Sequence, residues 1–138
     1  MSLAETKAVW ERINERNAAV LDQAQELADE LHSALLKRLG IELKLHSARE
    51  QMQEMEHQAL LGGEIDGRNA ETRAAQLAQL LKRDEHYVAL QQLLLEGKSQ
   101  VGQLDAEIEY LRQKLSLAKL AARWNVAIAA AWGGSDDD

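Results

Sequence analysis

Apolar residues recur at alternating intervals of three and four along the first 60 residues, and this heptad spacing restricts the fold more than any other feature. Only Asn17 and Arg38 interrupt the apolar series. A series this long in one register is typical of a helix that buries one stripe against another helix. The predicted seam comprises Trp10, Ile13, Asn17, Val20, Ala24, Leu27, Leu31, Ala34, Arg38, Ile41, Leu45, Ala48, Met52, Met55 and Ala59.

The second half of the chain repeats the same spacing, with Arg83 and Gly97 as its departures. The sequence contains no proline, which permits long uninterrupted helices because proline breaks helix interiors. A second long helix is therefore predicted. Its seam comprises Leu80, Arg83, Tyr87, Leu90, Leu94, Gly97, Val101, Leu104, Ile108, Leu111, Leu115, Ala118 and Ala122.

A glycine-rich segment separates the two halves and predicts a turn over residues 62–69. Gly62, Gly63 and Gly67 allow backbone angles that other residues resist. Asn69 is a natural N-cap, and Glu71 would favour the first turn of the following helix. The predicted organisation is a single hairpin domain over residues 1–132, with helices over 2–61 and 70–132, followed by a disordered acidic tail over 133–138.

The two predicted arms have nearly equal lengths, which favours an all-α fold: a long antiparallel two-helix coiled-coil hairpin. With a turn centred near residue 67, facing residues have numbers that add to about 134. Trp10 then faces Trp124, and Arg38 faces Glu96 as an ion pair within the seam. The alternative is a long parallel dimer in which each helix pairs with its copy.

Six further leucines lie outside the seam, near the middle of each predicted helix. The predicted register places the two groups at the same height, where they would form a contiguous apolar patch, and such patches mark binding surfaces. We expect a homodimer that forms a four-helix bundle over part of the hairpin. The alternative is that these leucines widen one stripe. The self-association residues are Leu35, Leu36, Leu39, Leu43, Leu93 and Leu95.

Three glycines, Gly40, Gly97 and Gly102, also fall near this level. Glycine inside a helix costs about 1 kcal/mol relative to alanine. The cluster indicates either a close backbone approach or a local break in the helix, unless a long helix simply tolerates it.

The end of the second predicted helix, residues 124–132, carries no charge. One interpretation, which we favour, is an end plug packed on Leu3, Val9 and Trp10. The other is a docking site for a protein partner, because exposed tryptophans often anchor interfaces. The candidate docking residues are Trp10, Trp124, Ile128 and Trp132.

Composition argues against several functions. A net charge of −7 disfavours direct nucleic-acid binding, since DNA phosphates repel an acidic chain. The chain has no cysteine and no apolar run that would span a membrane or form a signal sequence, so we expect a cytoplasmic protein.

Catalytic, cofactor and metal sites are not expected. Glu54 and His57 form one Glu-x-x-His step of the kind used in di-iron bundles, but those sites need two such steps and two more glutamates. His46 and Glu50 would hold a metal only weakly. Both pairs are better explained as solvated helix faces.

The stretch Gly63-Glu-Ile-Asp-Gly-Arg-Asn-Ala-Glu-Thr-Arg-Ala-Ala-Gln-Leu77 resembles a turn and helix start found in small coiled-coil proteins encoded by bacteriophages and prophages. In that family the pattern approximates G-x-I-x-G-K-N-A-E-x-R-x-A-Q-L, and Arg68 stands where lysine is common. The resemblance covers about fifteen residues. It implies a phage origin, and hence the cytoplasm of a bacterial host, but no activity.

The sequence therefore predicts a non-enzymatic coiled-coil protein that has a structural or protein-interaction role, pairs with itself and docks an unidentified protein partner. The alternative is a phage accessory or inhibitor protein that acts on host or phage nucleic-acid machinery.

Overall fold

The computed structural model describes residues 2–133, and within that range the chain is helical with no strand. It contains three helices: α1 (Leu3–Leu61), α2 (Ala70–Lys82) and α3 (Glu85–Gly133). Gly133, predicted as the first residue of the acidic tail over 133–138, is instead the last residue of α3, and residues 134–138 of that predicted tail lie outside the described range. No helix within residues 2–133 combines the length and the apolar character that a membrane crossing requires.

Side chains cap the start of each helix. The Ser2 and Glu5 side chains bond reciprocally, since Glu5 N donates to Ser2 Oγ (3.2 Å) and Ser2 N donates to Glu5 Oε2 (3.1 Å). Asn69 caps α2 by accepting from Thr72 N at 2.7 Å. These bonds satisfy backbone N–H groups that have no partner within the helix.

The predicted single helix over 70–132 is instead two helices, α2 and α3. The interruption occurs at Arg83 and Asp84, where Asp84 Oδ1 accepts hydrogen bonds from His86 N (2.9 Å) and Tyr87 N (3.2 Å). An aspartate that bonds to backbone N–H groups ahead of it starts a new helix rather than continuing the old one. Arg83, a predicted seam position, is accordingly exposed.

Contacts divide the chain into two compact units. Unit 1 comprises Met1–Leu35 and Ala106–Asp138, and unit 2 comprises Leu36–Asp105. The core of unit 1 joins α1 to α3. It consists of Leu27, Ala34, Ile108, Leu111 and Ala118, with Ala24, Leu31 and Leu115 packed against them.

The core of unit 2 is formed by the second part of α1, α2 and the first part of α3. Its buried residues are Leu45, Ala48, Leu81, Tyr87, Leu90, Gly97 and Leu104. In each unit, the buried residues of α1 and α3 all belong to the seams that the heptad spacing predicts. Burial of these apolar side chains is the main stabilising contribution to each unit.

The contacts of unit 2 run in opposite order along α1 and α3, but not in the predicted register. The numbers of contacting residues add to 143 for Arg38 with Asp105, 143 for Glu56 with Tyr87, and 142 for Leu45 with Gly97, rather than to about 134. The register differs because the chain changes direction over a longer stretch than predicted. This stretch includes α2 and the break before α3 as well as the glycine-rich segment.

Candidate interaction surfaces

Arg38 lies within the predicted seam, but its partner on α3 is Asp105 and not Glu96 as predicted. Its Nε donates to Asp105 Oδ1 at 2.6 Å, and its Nη1 lies 3.0 Å from Glu42 Oε1. Glu96, the predicted partner, is nine residues away from Asp105 in α3. The hydrogen bond to Asp105, with the nearby negative charges, raises the pKa of Arg38 above its ordinary value, so the side chain stays charged.

The leucines predicted for self-association are all exposed. Leu35 belongs to unit 1, and the others belong to unit 2. In unit 2, Leu36, Leu39 and Leu43 recur at intervals of three and four on the outer face of α1, with between 53% and 61% of each side chain exposed. We call these three residues the α1 leucine face. The seam does not cover it.

The observed register separates the two leucine groups of unit 2. Leu93 and Leu95 are exposed, but they lie level with residues 47–50 of α1 and not with the α1 leucine face. The offset between the groups is about 14 Å at about 1.5 Å per residue. The predicted coincidence of heights is therefore wrong, and the α1 leucine face stands by itself.

The tryptophan-bearing end of α3 differs from the favoured interpretation as an end plug. Trp124 is 68% exposed and Leu3 is 87% exposed, so neither side chain is buried as a plug would require. Trp10 is 41% exposed and Ile128 is half-buried. Trp124 points away from the seam because it lies two residues beyond the seam position Ala122. The Trp132 side chain lies outside the part of the chain whose side chains are described.

A set of outward-facing residues on α3 was missed by the sequence reasoning. Leu117 and Leu120 are 66% and 61% exposed, and with Trp124 they line an open apolar groove. The signal was present in the sequence as a second heptad-spaced series beside the seam. We call this series the α3 outer stripe: Tyr110, Gln113, Leu117, Leu120, Trp124, Ala127 and Ala131.

Within residues 2–133, the histidine and glutamate side chains considered as metal ligands belong to exposed helix faces. His46 Nε2 lies 3.0 Å from Glu50 Oε1, one helical turn away, and both side chains are exposed. Across the described residues, no group of three or more His, Cys, Asp or Glu is placed to hold a metal ion. Glu54 accepts from Gln58 Nε2 at 3.1 Å, as in an ordinary solvated helix face.

The Gln76 side chain makes three hydrogen bonds to the segment between α1 and α2. Gln76 Oε1 accepts from Asp66 N (3.1 Å) and Gly67 N (2.9 Å), and Gln76 Nε2 donates to Asp66 Oδ1 (2.9 Å). Gly63 has a positive φ of 78°, which favours glycine. A Cβ added at Gly67 would lie 2.9 Å from Arg73 N, so a larger residue would collide there. Gly63 and Gly67 thus have a structural role in the turn, as does Asn69 through its cap of α2, and Gly62 N donates to Gln58 O at 3.0 Å at the end of α1.

Comparison of this chain with protein-family models, with curated proteins and with solved structures finds no match. The surfaces described above are therefore the basis on which a function can be proposed.

Proposed function

We propose that this chain is a non-enzymatic interaction protein: an antiparallel coiled-coil hairpin that self-associates and docks a protein partner. The hairpin is supported by the opposite order of contacts along α1 and α3 in unit 2, and by the burial of heptad positions in both units. The turn sequence Gly63–Leu77, which resembles that of bacteriophage coiled-coil proteins, and the lack of cysteine support a phage-derived protein acting in the bacterial cytoplasm.

The α1 leucine face is the observation that carries the proposal of self-association. Three large apolar side chains on one helix face are each more than half exposed, whereas the seam on the opposite face already has its partner. Covering such a face removes apolar surface from water and stabilises the covered state. A second copy would bring its own α1 leucine face to the same place, giving four helices around one core over part of the length.

Sedimentation equilibrium of the full chain at tens of micromolar tests the proposal. We expect a dimer for the parent chain and a monomer for the double variant Leu36→Glu/Leu43→Glu, because the new carboxylates would be buried between copies. Leu21→Glu is the matched control, since Leu21 is also about half exposed on α1 but lies outside the leucine face. A monomeric parent chain would contradict the proposal.

A further inference from the structure

The α3 outer stripe has the spacing of a second helix-packing seam. Its residues follow one another at intervals of three and four from Tyr110 to Ala131, in step with the first seam but on the outer side of the helix. Its four large residues, Tyr110, Leu117, Leu120 and Trp124, are between 54% and 68% exposed. A helix that already buries one stripe in unit 1 thus presents a second one to solvent.

The width of the stripe indicates what would cover it. Two positions per heptad make the narrow seam that a partner helix fills, whereas a helix lying on a membrane presents a broader apolar face. Lys114 borders the stripe on one side and Arg123 on the other, and Lys119 lies further round the helix on the Arg123 side. The stripe therefore has a basic residue at each edge.

The charge around the stripe restricts the partner further. From Tyr110 to Gly133 the sequence contains four basic residues, Arg112, Lys114, Lys119 and Arg123, and no acidic residue, although the whole chain has a net charge of −7. Pairing the stripe with the same stripe of a second copy would bring the basic residues of both α3 helices together at the edges of the interface, which is unfavourable. A helix with acidic edges would be attracted to both sides of the stripe.

We propose that the α3 outer stripe docks an amphipathic helix of a different protein whose apolar seam is flanked by glutamate or aspartate. The inference rests on the proposed function, because it gives the protein partner of that proposal a binding surface and a chemistry. Leu117, Leu120 and Trp124 contact the apolar seam of the partner. Arg123, with Lys119 further round the helix, faces its acidic edge on one side, and Lys114 faces the edge on the other.

Two designed peptides test the inference with the full-length chain. Each carries four heptads of leucine and isoleucine, flanked by glutamate in one peptide and by lysine in the other, so that both resist self-pairing equally through like charges. Fluorescence anisotropy of the labelled peptide measures binding. We expect the glutamate-flanked peptide to bind at least about tenfold more tightly than the lysine-flanked one.

Variants of the chain assign that binding to the stripe. Leu117→Ala/Leu120→Ala should weaken binding of the glutamate-flanked peptide by about tenfold or more, whereas Leu21→Ala, at a leucine of α1 that is 53% exposed, should leave it unchanged. Lys119→Gln/Arg123→Gln should reduce the preference for the glutamate-flanked peptide. Circular dichroism of each variant checks that its helix content is retained.

Several outcomes would overturn the inference: equal binding of the two peptides, no binding of either, or binding that the stripe variants do not change. Co-sedimentation with phosphatidylglycerol vesicles in the absence of peptide binding would show a lipid-binding face instead. A stripe variant that converts a dimer into a monomer would show a face for a second copy. Sedimentation tests the proposed self-association, and the peptide titration tests the stripe. A monomeric parent chain would therefore contradict the first proposal without affecting the second measurement.

Discussion

Gly97 of α3 packs against the Leu45 side chain in unit 2. A Cβ at position 97 would lie 3.0 Å from Leu45 Cγ and 3.3 Å from its Cδ1, and nearer still to its Cδ2. Leu45 is only 4% exposed, so it has little room to move away. The glycine that interrupts the predicted seam is therefore where a leucine from the opposite helix fits.

Replacing Gly97 with alanine should destabilise the protein by about 1–2 kcal/mol, because overpacking a filled core outweighs the gain in helix propensity. Gly102→Ala is the matched control, since no atom lies within 4 Å of its added Cβ. That variant should gain up to about 1 kcal/mol. Urea unfolding followed by circular dichroism measures both, and equal stabilisation by the two substitutions would contradict the packing argument.

Tyr87 joins the seam of unit 2 to a carboxylate on the facing helix. It is 8% exposed, and its hydroxyl donates to Glu56 Oε1 at 2.8 Å. Burial, followed by the hydrogen bond and the negative charge of Glu56, raises the pKa of Tyr87 above its ordinary value of 10.0. The neutral phenol is therefore favoured in the folded state.

Since the folded-state pKa of Tyr87 is raised, its contribution to stability is present below pH 10 and is lost as pH rises through the folded value. Tyr87→Phe should cost about 1 kcal/mol near neutral pH by removing the hydrogen bond. The difference in free energy of unfolding between parent and variant should then shrink above pH 10. Urea unfolding at a series of pH values measures it, and a difference independent of pH would argue against this role.

At the scale of elements, the break between α2 and α3 is the main departure from a continuous second helix. Arg83 N donates to Leu80 O (3.3 Å) and Asp84 N donates to Leu81 O (3.0 Å), closing α2 in a tight turn. Asp84 then caps α3, so one residue ends the turn and begins the next helix.

Asp84→Ala should destabilise the start of α3 by about 1 kcal/mol, because two backbone N–H groups lose their acceptor. Asp84→Asn retains an oxygen acceptor and should recover most of the loss. Thermal unfolding followed by circular dichroism compares the two. If alanine and asparagine were equivalent, the cap would not be the cause of the break.

Gln76 connects α2 to the segment before it, and its loss should loosen that segment without unfolding α2. Hydrogen exchange at the Asp66 and Gly67 amides, both bonded to Gln76 Oε1, should become faster in Gln76→Ala. Gln79→Ala, an exposed glutamine one turn further along α2, is the control and should leave these amides unchanged. Unchanged exchange in Gln76→Ala would show that other contacts hold the segment.

At the scale of the whole molecule, the proposed antiparallel hairpin predicts which positions of α1 and α3 lie in contact. The chain contains no cysteine, so introduced pairs report on register without background. Arg38→Cys with Asp105→Cys should be cross-linked within one chain by a short bis-maleimide, because these positions are in contact. Arg38→Cys with Glu96→Cys should react far more slowly, since nine helical residues displace position 96 by about 13 Å.

Peptide mapping after this reaction separates the two arrangements. A cross-link within a single chain supports the hairpin, whereas a cross-link only between chains supports the long dimer in which each helix pairs with its copy. Faster reaction of the pair at 38 and 96 would show that the predicted register is the correct one.

Heptad spacing identified the stripes that contain the buried residues of α1 and α3, but it did not include the buried Leu81 of α2. The buried residues of α1 and α3 all lie in the predicted seams, because a helix presents every third or fourth residue on the same side whatever it packs against. The spacing also contained the α3 outer stripe, which is visible as a second series of the same period. In the sequence this series includes Gln113 and is interspersed with basic residues up to Arg123, whereas residues 124–132 carry no charge.

The sequence by itself determined the helical content, the seam positions and the caps at Ser2 and Asn69, since these depend on neighbours within about one helical turn. Only the tertiary structure decided the register, the break at Asp84, the partner of Arg38 and the exposure of Trp124. A heptad repeat looks the same after a shift of seven residues, so spacing alone does not select which heptads face each other. That choice depends on how α2 packs in the reversal and on where Leu45 finds the space beside Gly97.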